Sequence, residues 1–123
     1  MIGEVHLSVV NFYDSSTGTI RRKKRPILIV GGPRNNDYTV LPISTITRRE
    51  NVDATYDIPI CGADRVTLGL DRDSFLRTHK QIPVHRGEIT RKLGDMKTDL
   101  PDLYIEALAK MDKFQSEIVD SAI

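Results

Sequence analysis

The stretch that decides the fold runs from Lys23 to Thr47, KKRPILIVGGPRNNDYTVLPISTIT. Two short apolar runs, Pro26 to Val30 and Tyr38 to Ile43, are rich in Ile, Val and Leu. Between them lies Gly31-Gly32-Pro33-Arg34-Asn35-Asn36-Asp37, a cluster of turn formers. β-Branched runs split by such a cluster predict an antiparallel strand pair with a long connecting loop. In an antiparallel pair the start of one strand lies beside the end of the next. The cations Arg21-Arg22-Lys23-Lys24-Arg25 enter the first strand, and Ser44-Thr45-Ile46-Thr47-Arg48-Arg49 leave the second. The two groups are therefore expected at one edge of the sheet. Guanidinium forks and small hydroxyl donors together suit a phosphodiester.

Upstream, Gly3 to Phe12 alternates, with Val5, Leu7 and Val9 on one face, and predicts a first strand. His6, on the opposite face, reads as a surface residue. Tyr13 to Thr19 is polar and reads as a flexible loop able to cover a substrate. Downstream, Arg48 to Ala54 reads as loop, and Thr55 to Ile60 as a strand that Pro59 confines to an edge or bulge. Cys61 to Leu70 is ambiguous, with turns suggested at Gly62 and Gly69. Asp73 to Ile82 reads as one strand of mixed quality, interrupted by Pro83, and Ile89 to Met96 as a short strand or turn. From Leu100, the apolar residues Leu103, Tyr104, Ala107, Leu108, Met111, Phe114 and Ile118 follow the three-four spacing of an amphipathic helix. Thr98 or Asp99 suits its cap, Pro101 its first turn and Asp102 its dipole. Short strands followed by one packed helix predict an α+β domain built on a small bent sheet or barrel.

The chain has 123 residues, 39% hydrophobic and 28% charged, which suits one globular domain over residues 1–123 and excludes a disordered chain. Net charge is +1, so any attraction for a polyanion has to come from the local basic block. The lone Cys61 rules out an internal disulfide and favours a reducing compartment, and it reads as a packed thiol. With no apolar leader and no run of membrane-spanning length, a cytoplasmic protein is expected. No cofactor or metal is expected: Asp71 and Asp73 share a strand face but have no third ligand at hand.

Several segments together resemble one family. Gly3-Glu4-Val5, a glycine-containing loop and Lys24-Arg25-Pro26-Ile27-Leu28-Ile29-Val30 resemble the opening of the MazF/PemK toxins. Val40-Leu41-Pro42-Ile43-Ser44-Thr45 is similar to that family's second signature. Leu70-Asp71-Arg72-Asp73-Ser74 resembles the segment before its next strand, and Ile89 to Leu93 with a terminal helix fits its end. The resemblance implies an SH3-like barrel, a homodimer and a cognate antitoxin partner. It also implies metal-independent endoribonuclease activity on single-stranded RNA such as mRNA, leaving 2′,3′-cyclic phosphate and 5′-hydroxyl ends.

By the same resemblance Arg25 stands at the catalytic arginine, and Ser44 where the family usually has threonine. Thr45 is the alternative hydroxyl, although the strand period points it to the other face. His79 is a candidate general base, with His85 second, because imidazole titrates near neutrality. Arg21, Arg22, Lys23, Lys24, Arg48, Arg49 and Lys80 are candidate phosphate contacts, and Phe12 and Tyr13 candidate stacking surfaces. Tyr38 and Tyr56 read as packed. The rival reading is a non-catalytic module on the same barrel, holding RNA or gripping a protein target as gyrase-poisoning relatives do. The serine at position 44 keeps it open.

Overall fold

The computed structural model describes residues 1–123, the side chains of Val10 and Phe12 excepted. Seven strands form one curled antiparallel sheet, a half-barrel: β1 (Glu4–Asp14), β2 (Thr19–Arg34), β3 (Asp37–Ser44), β4 (Asp57–Ile60), β5 (Ser74–Arg77), β6 (Ile82–His85) and β7 (Ile89–Asp95). Their spatial order is β4-β5-β3-β2-β1-β7, with β6 also paired to β3. Helices α1 (Gly62–Thr67), α2 (Met96–Asp99) and α3 (Pro101–Ala122) complete the α+β fold.

The central pair is β2 against β3, with Ile27 opposite Pro42, Leu28 opposite Leu41 and Ile29 opposite Val40. Both of its faces are buried. Leu28, Leu41 and Ile43 join the main core, where Tyr104 and Ala107 of α3 pack with Leu100, Leu103, Leu108 and Met111 beside them. Ile27, Ile29 and Val40 form a second cluster with Val84, closed by Tyr38, Ile82 and Ile89. Burial on two faces explains why these strands read as continuous apolar runs instead of alternating ones.

Several expectations are corrected. The long loop between β2 and β3 is only Asn35-Asn36, both at positive φ (51° and 67°), with Arg34 opposite Asp37. Two left-handed residues make the tight turn that matches strand twist, and asparagine tolerates it. Of the anticipated loop from Tyr13 to Thr19, Ser15 to Gly18 is a turn, while Tyr13, Asp14 and Thr19 belong to the flanking strands. Tyr13 pairs with Ile20 and Asp14 with Thr19, so the basic block lies within β2 on a long hairpin with β1. Asp14 closes its turn by accepting from the Ser16 N–H at 2.9 Å and the Ser16 hydroxyl at 2.6 Å. Cys61 to Leu70 contains α1, and Cys61 itself is exposed, not packed.

The single strand anticipated from Asp73 to Ile82 is two. Leu76 faces Ile43 and Ile82 faces Val40, so six steps on this side match three along β3 and the surplus bulges out. The buried Thr78 hydroxyl anchors that bulge by donating to the Tyr56 carbonyl at 2.6 Å. Pro83 sits inside β6 instead of interrupting a strand; it faces Thr39, and an edge strand tolerates the missing donor.

His6 is buried, not on the surface, its Nε2 2.9 Å from Glu4 and its Nδ1 3.3 Å from the Thr90 carbonyl of β7. Thr98 and Asp99 do not cap α3. They lie in α2, which Asp95 caps by accepting from the Thr98 N–H, and α3 starts at Pro101. Ile118 lies half-exposed beyond the core.

The packing gives a direct check. Leu41→Ala removes side-chain volume from a fully buried site, and a loss of about 3 kcal/mol is expected from urea unfolding. Ile118→Ala is expected to stay within about 0.5 kcal/mol.

Candidate functional site

The β2–β3 ladder ends at Ile27 and Pro42. Pro42 has no N–H to extend it, and Ile43 and Ser44 pair instead with Leu76 and Phe75 of β5. β2 runs on in the opposite direction, held by β1 through Arg25 opposite Ser8 and Lys24 opposite Val9. The two strands therefore part like a fork. Arg25 and Ser44 each lie two residues past the last pair of the ladder, on the two diverging strands. Arg25 and Ser44 fall on one face, in line with Ile27 and Pro42, and both are half-buried.

Two cavities that share Arg25 and Thr45 open at this fork. One, of about 600 Å³, is lined by Arg25, Ser44 and Thr45 together with Asn11, Tyr13, Arg77 and Lys80. The other, of about 350 Å³, shares Arg25 and Thr45 and adds Lys23, Lys24, Arg72 and Arg91. Cations dominate both, and no carboxylate lines the larger.

Arg77 is a site residue that sequence reading did not single out. It is held by Asp57, whose side chain is fully buried: Nε donates to Oδ1 at 3.1 Å and Nη2 to Oδ2 at 3.3 Å. Nη2 also donates to the Asn51 carbonyl at 3.2 Å, and Asp57 Oδ2 accepts from the Asp53 N–H at 2.8 Å. One buried carboxylate thus ties the sheet edge to the 49–56 segment and aims Arg77 at the larger cavity. The available signal was the alternation in Ser74-Phe75-Leu76-Arg77, which puts Arg77 on the face of Phe75, the partner of Ser44.

The sequence profile of PemK-like, MazF-like toxins of type II toxin–antitoxin systems matches residues 4–111. The chain belongs to this family. Among solved structures, the Mycobacterium tuberculosis toxin MazF-mt6 is similar in fold. It shares 16% identity over 95% of this chain and 96% of that one, with a TM-score of 0.59. No curated protein sequence matches the chain.

In this MazF-like toxin the fork gathers Arg25, Ser44, Thr45, Tyr13 and Lys80 at one cavity, and Lys23 and Lys24 at the other. The remaining positions singled out from sequence lie elsewhere. Arg21 and Arg22 are exposed on the hairpin, paired with Asp14 and Glu88 at 3.2 Å each. Arg48 and Arg49 are exposed on the following segment and line neither cavity. The Phe12 side chain lies outside the described residues. His85 is exposed at the end of β6, its Nδ1 accepting from the Gly87 N–H.

His79 also lines neither cavity. Its ring packs 5.9 Å from those of Tyr56 and Phe114, with Nδ1 3.7 Å from Asp57. Burial holds its imidazole below the ordinary value; Arg77 and Lys80 add to the push, and Asp57 and Asp53 oppose it.

Two tests follow from this cluster. Asp57→Ala leaves Arg77 without its buried partner, and a loss of about 3–5 kcal/mol in urea unfolding is expected. Because the folded His79 binds its proton less readily than the unfolded one, unfolding takes up a proton once the pH falls below about 6.5. Stability should therefore decline from pH 7.5 to pH 5, and His79→Gln should flatten that decline in urea midpoints.

Proposed function

We propose that this toxin is a sequence-specific, metal-independent endoribonuclease that cleaves single-stranded RNA such as mRNA. The observation that carries the reading is that the half-buried Arg25 and Ser44 line one cavity where β2 and β3 part, with Arg77 and Lys80 as its other charged residues. RNA brings its own nucleophile, the 2′-hydroxyl, so the protein's task is to align the attack and stabilise charge on the phosphorane. Arg25 presents a planar fork of donors to two phosphate oxygens, and the Ser44 hydroxyl donates to a third. Attack forms the bond from O2′ to phosphorus and breaks the bond to O5′; the O2′ proton passes to solvent water and O5′ takes one up, giving a 2′,3′-cyclic phosphate and a 5′-hydroxyl. Arg77 and Lys80 hold the strand in the larger cavity, where the exposed Tyr13 offers a stacking face.

Membership of a type II toxin family implies an antitoxin partner. The proposal adds that the antitoxin covers this cationic fork, and that the toxin acts as a cytoplasmic homodimer of single-domain chains.

The test is incubation of the protein with a long single-stranded RNA in EDTA, with mapping of the fragment ends. Discrete cuts bearing 5′-hydroxyl and cyclic phosphate ends are expected. Arg25→Ala should remove cleavage while leaving the fold intact, and Ser44→Ala should slow it by about 10²–10³-fold, as for loss of one oxyanion donor. Thr45→Val, at the residue just past the end of β3, should slow cleavage less than Ser44→Ala if Ser44 is the oxyanion donor. Intact RNA with folded wild type would overturn the reading in favour of a binding module.

A further inference from the structure

The smaller cavity has a construction of its own. Around it stand five cations, Lys23, Lys24, Arg25, Arg72 and Arg91, against the single carboxylate of Asp71, so it selects for an anion. Four other arginines are committed to acids, Arg21 to Asp14, Arg22 to Glu88, Arg65 to Asp73 and Arg77 to Asp57, while Arg34, Arg48, Arg49 and Arg86 line neither cavity. Lys23, Lys24, Arg72 and Arg91 make no ion pair among the described residues, and all four face this one cavity. Its remaining lining mixes the apolar Leu7, Pro26, Ile43, Leu70 and Leu93 with Gly69 and the hydroxyls of Thr45 and Ser74.

The wall that brings Arg72 and Arg91 together is tightly built. Gly69, at φ +69°, passes so close to β7 that a Cβ there would meet the Leu93 carbonyl oxygen at 2.6 Å. That contact presses the α1–β5 turn, which carries Arg72, onto the strand that carries Arg91. A pocket of about 350 Å³ with a partly apolar lining and a cationic rim suits a planar base with a phosphate at its edge.

We propose that this cavity is a nucleotide subsite distinct from the larger one. It seats the ribonucleotide next to the phosphate at Arg25, with its base against the half-exposed Leu7, Pro26 and Leu93. The outer phosphate of that nucleotide lies between Arg72 and Arg91. Arg25 and Thr45, common to both cavities, mark the crossing point of the strand. The inference rests on RNA being the ligand of the fork, and it makes Arg72 and Arg91 binding residues of a different cavity from that of Arg77 and Lys80.

The test uses a fluorescein-labelled, randomised 2′-O-methyl RNA strand, which lacks the attacking hydroxyl and so reports binding alone. The Arg72→Ala/Arg91→Ala protein should bind it about five-fold or more weakly, with the slope of log affinity against log salt reduced by about 0.7, one phosphate's worth on a single strand. Arg34→Ala/Arg86→Ala removes the same charge at the other end of β2 and should change neither. Unchanged binding in the first variant, an equal change in the second, or no binding by wild type overturns the subsite. A wild type that shows the expected slopes yet leaves unmodified RNA intact refutes the nuclease reading and leaves the subsite standing.

Discussion

Strands β2 and β3 are bonded to each other and buried on both faces, and the rest of the sheet takes its positions from that pair. Leu28 and Leu41 belong to the core under α3, whereas Ile27, Ile29 and Val40 belong to the cluster on the other side. A slip of one residue would exchange the two sets and misfit both. Register is therefore held by packing along the whole shared length. Near the far end it is also set by the Asn35-Asn36 turn, whose left-handed residues admit a two-residue connection.

The same pair makes the site by ending. β3 is bonded to β6 and β5 along its other edge, and Ser44 leaves with Phe75 while β2 continues with β1. A strand cannot follow two diverging partners, so the ladder opens where Pro42 removes a donor. The half-buried Arg25 and Ser44 at this opening are each held in a ladder with another strand, Arg25 by Ser8 of β1 and Ser44 by Phe75 of β5, which positions them better than a free loop would. The Asp57–Arg77 pair does comparable work at the sheet edge. It is a buried charge tolerated because each carboxylate oxygen has a geometric partner, and it presents a guanidinium at a set angle to the cavity.

Much of this was legible in the residues. The central strand pair, the edge placement of the strand holding Pro59 and the packed helix from Pro101 follow from apolar runs, turn formers and three-four spacing. Those signals act over a few neighbouring residues. The errors arose where a distant partner decided the outcome. His6 is buried because β7 passes beside it, and Asp73 to Ile82 splits because β3 offers too few residues to match it. The loop expected from Tyr13 to Thr19 shrinks to the turn Ser15 to Gly18, because the residues on either side of it pair with each other. Its polar composition gave no warning of that.

For the candidate site the division is similar. The sequence by itself determined that Arg25 and Ser44 would lie near each other, since antiparallel pairing requires it, and its motifs pointed to the toxin family. Only the tertiary structure decided that Arg77 joins them through a buried carboxylate and that His79 packs against Tyr56 and Phe114. It also decided that Arg72 and Arg91 converge on a separate cavity. Those relations link residues of different strands, turns and helices, and their geometry exists only once the sheet has curled and the intervening chain has packed.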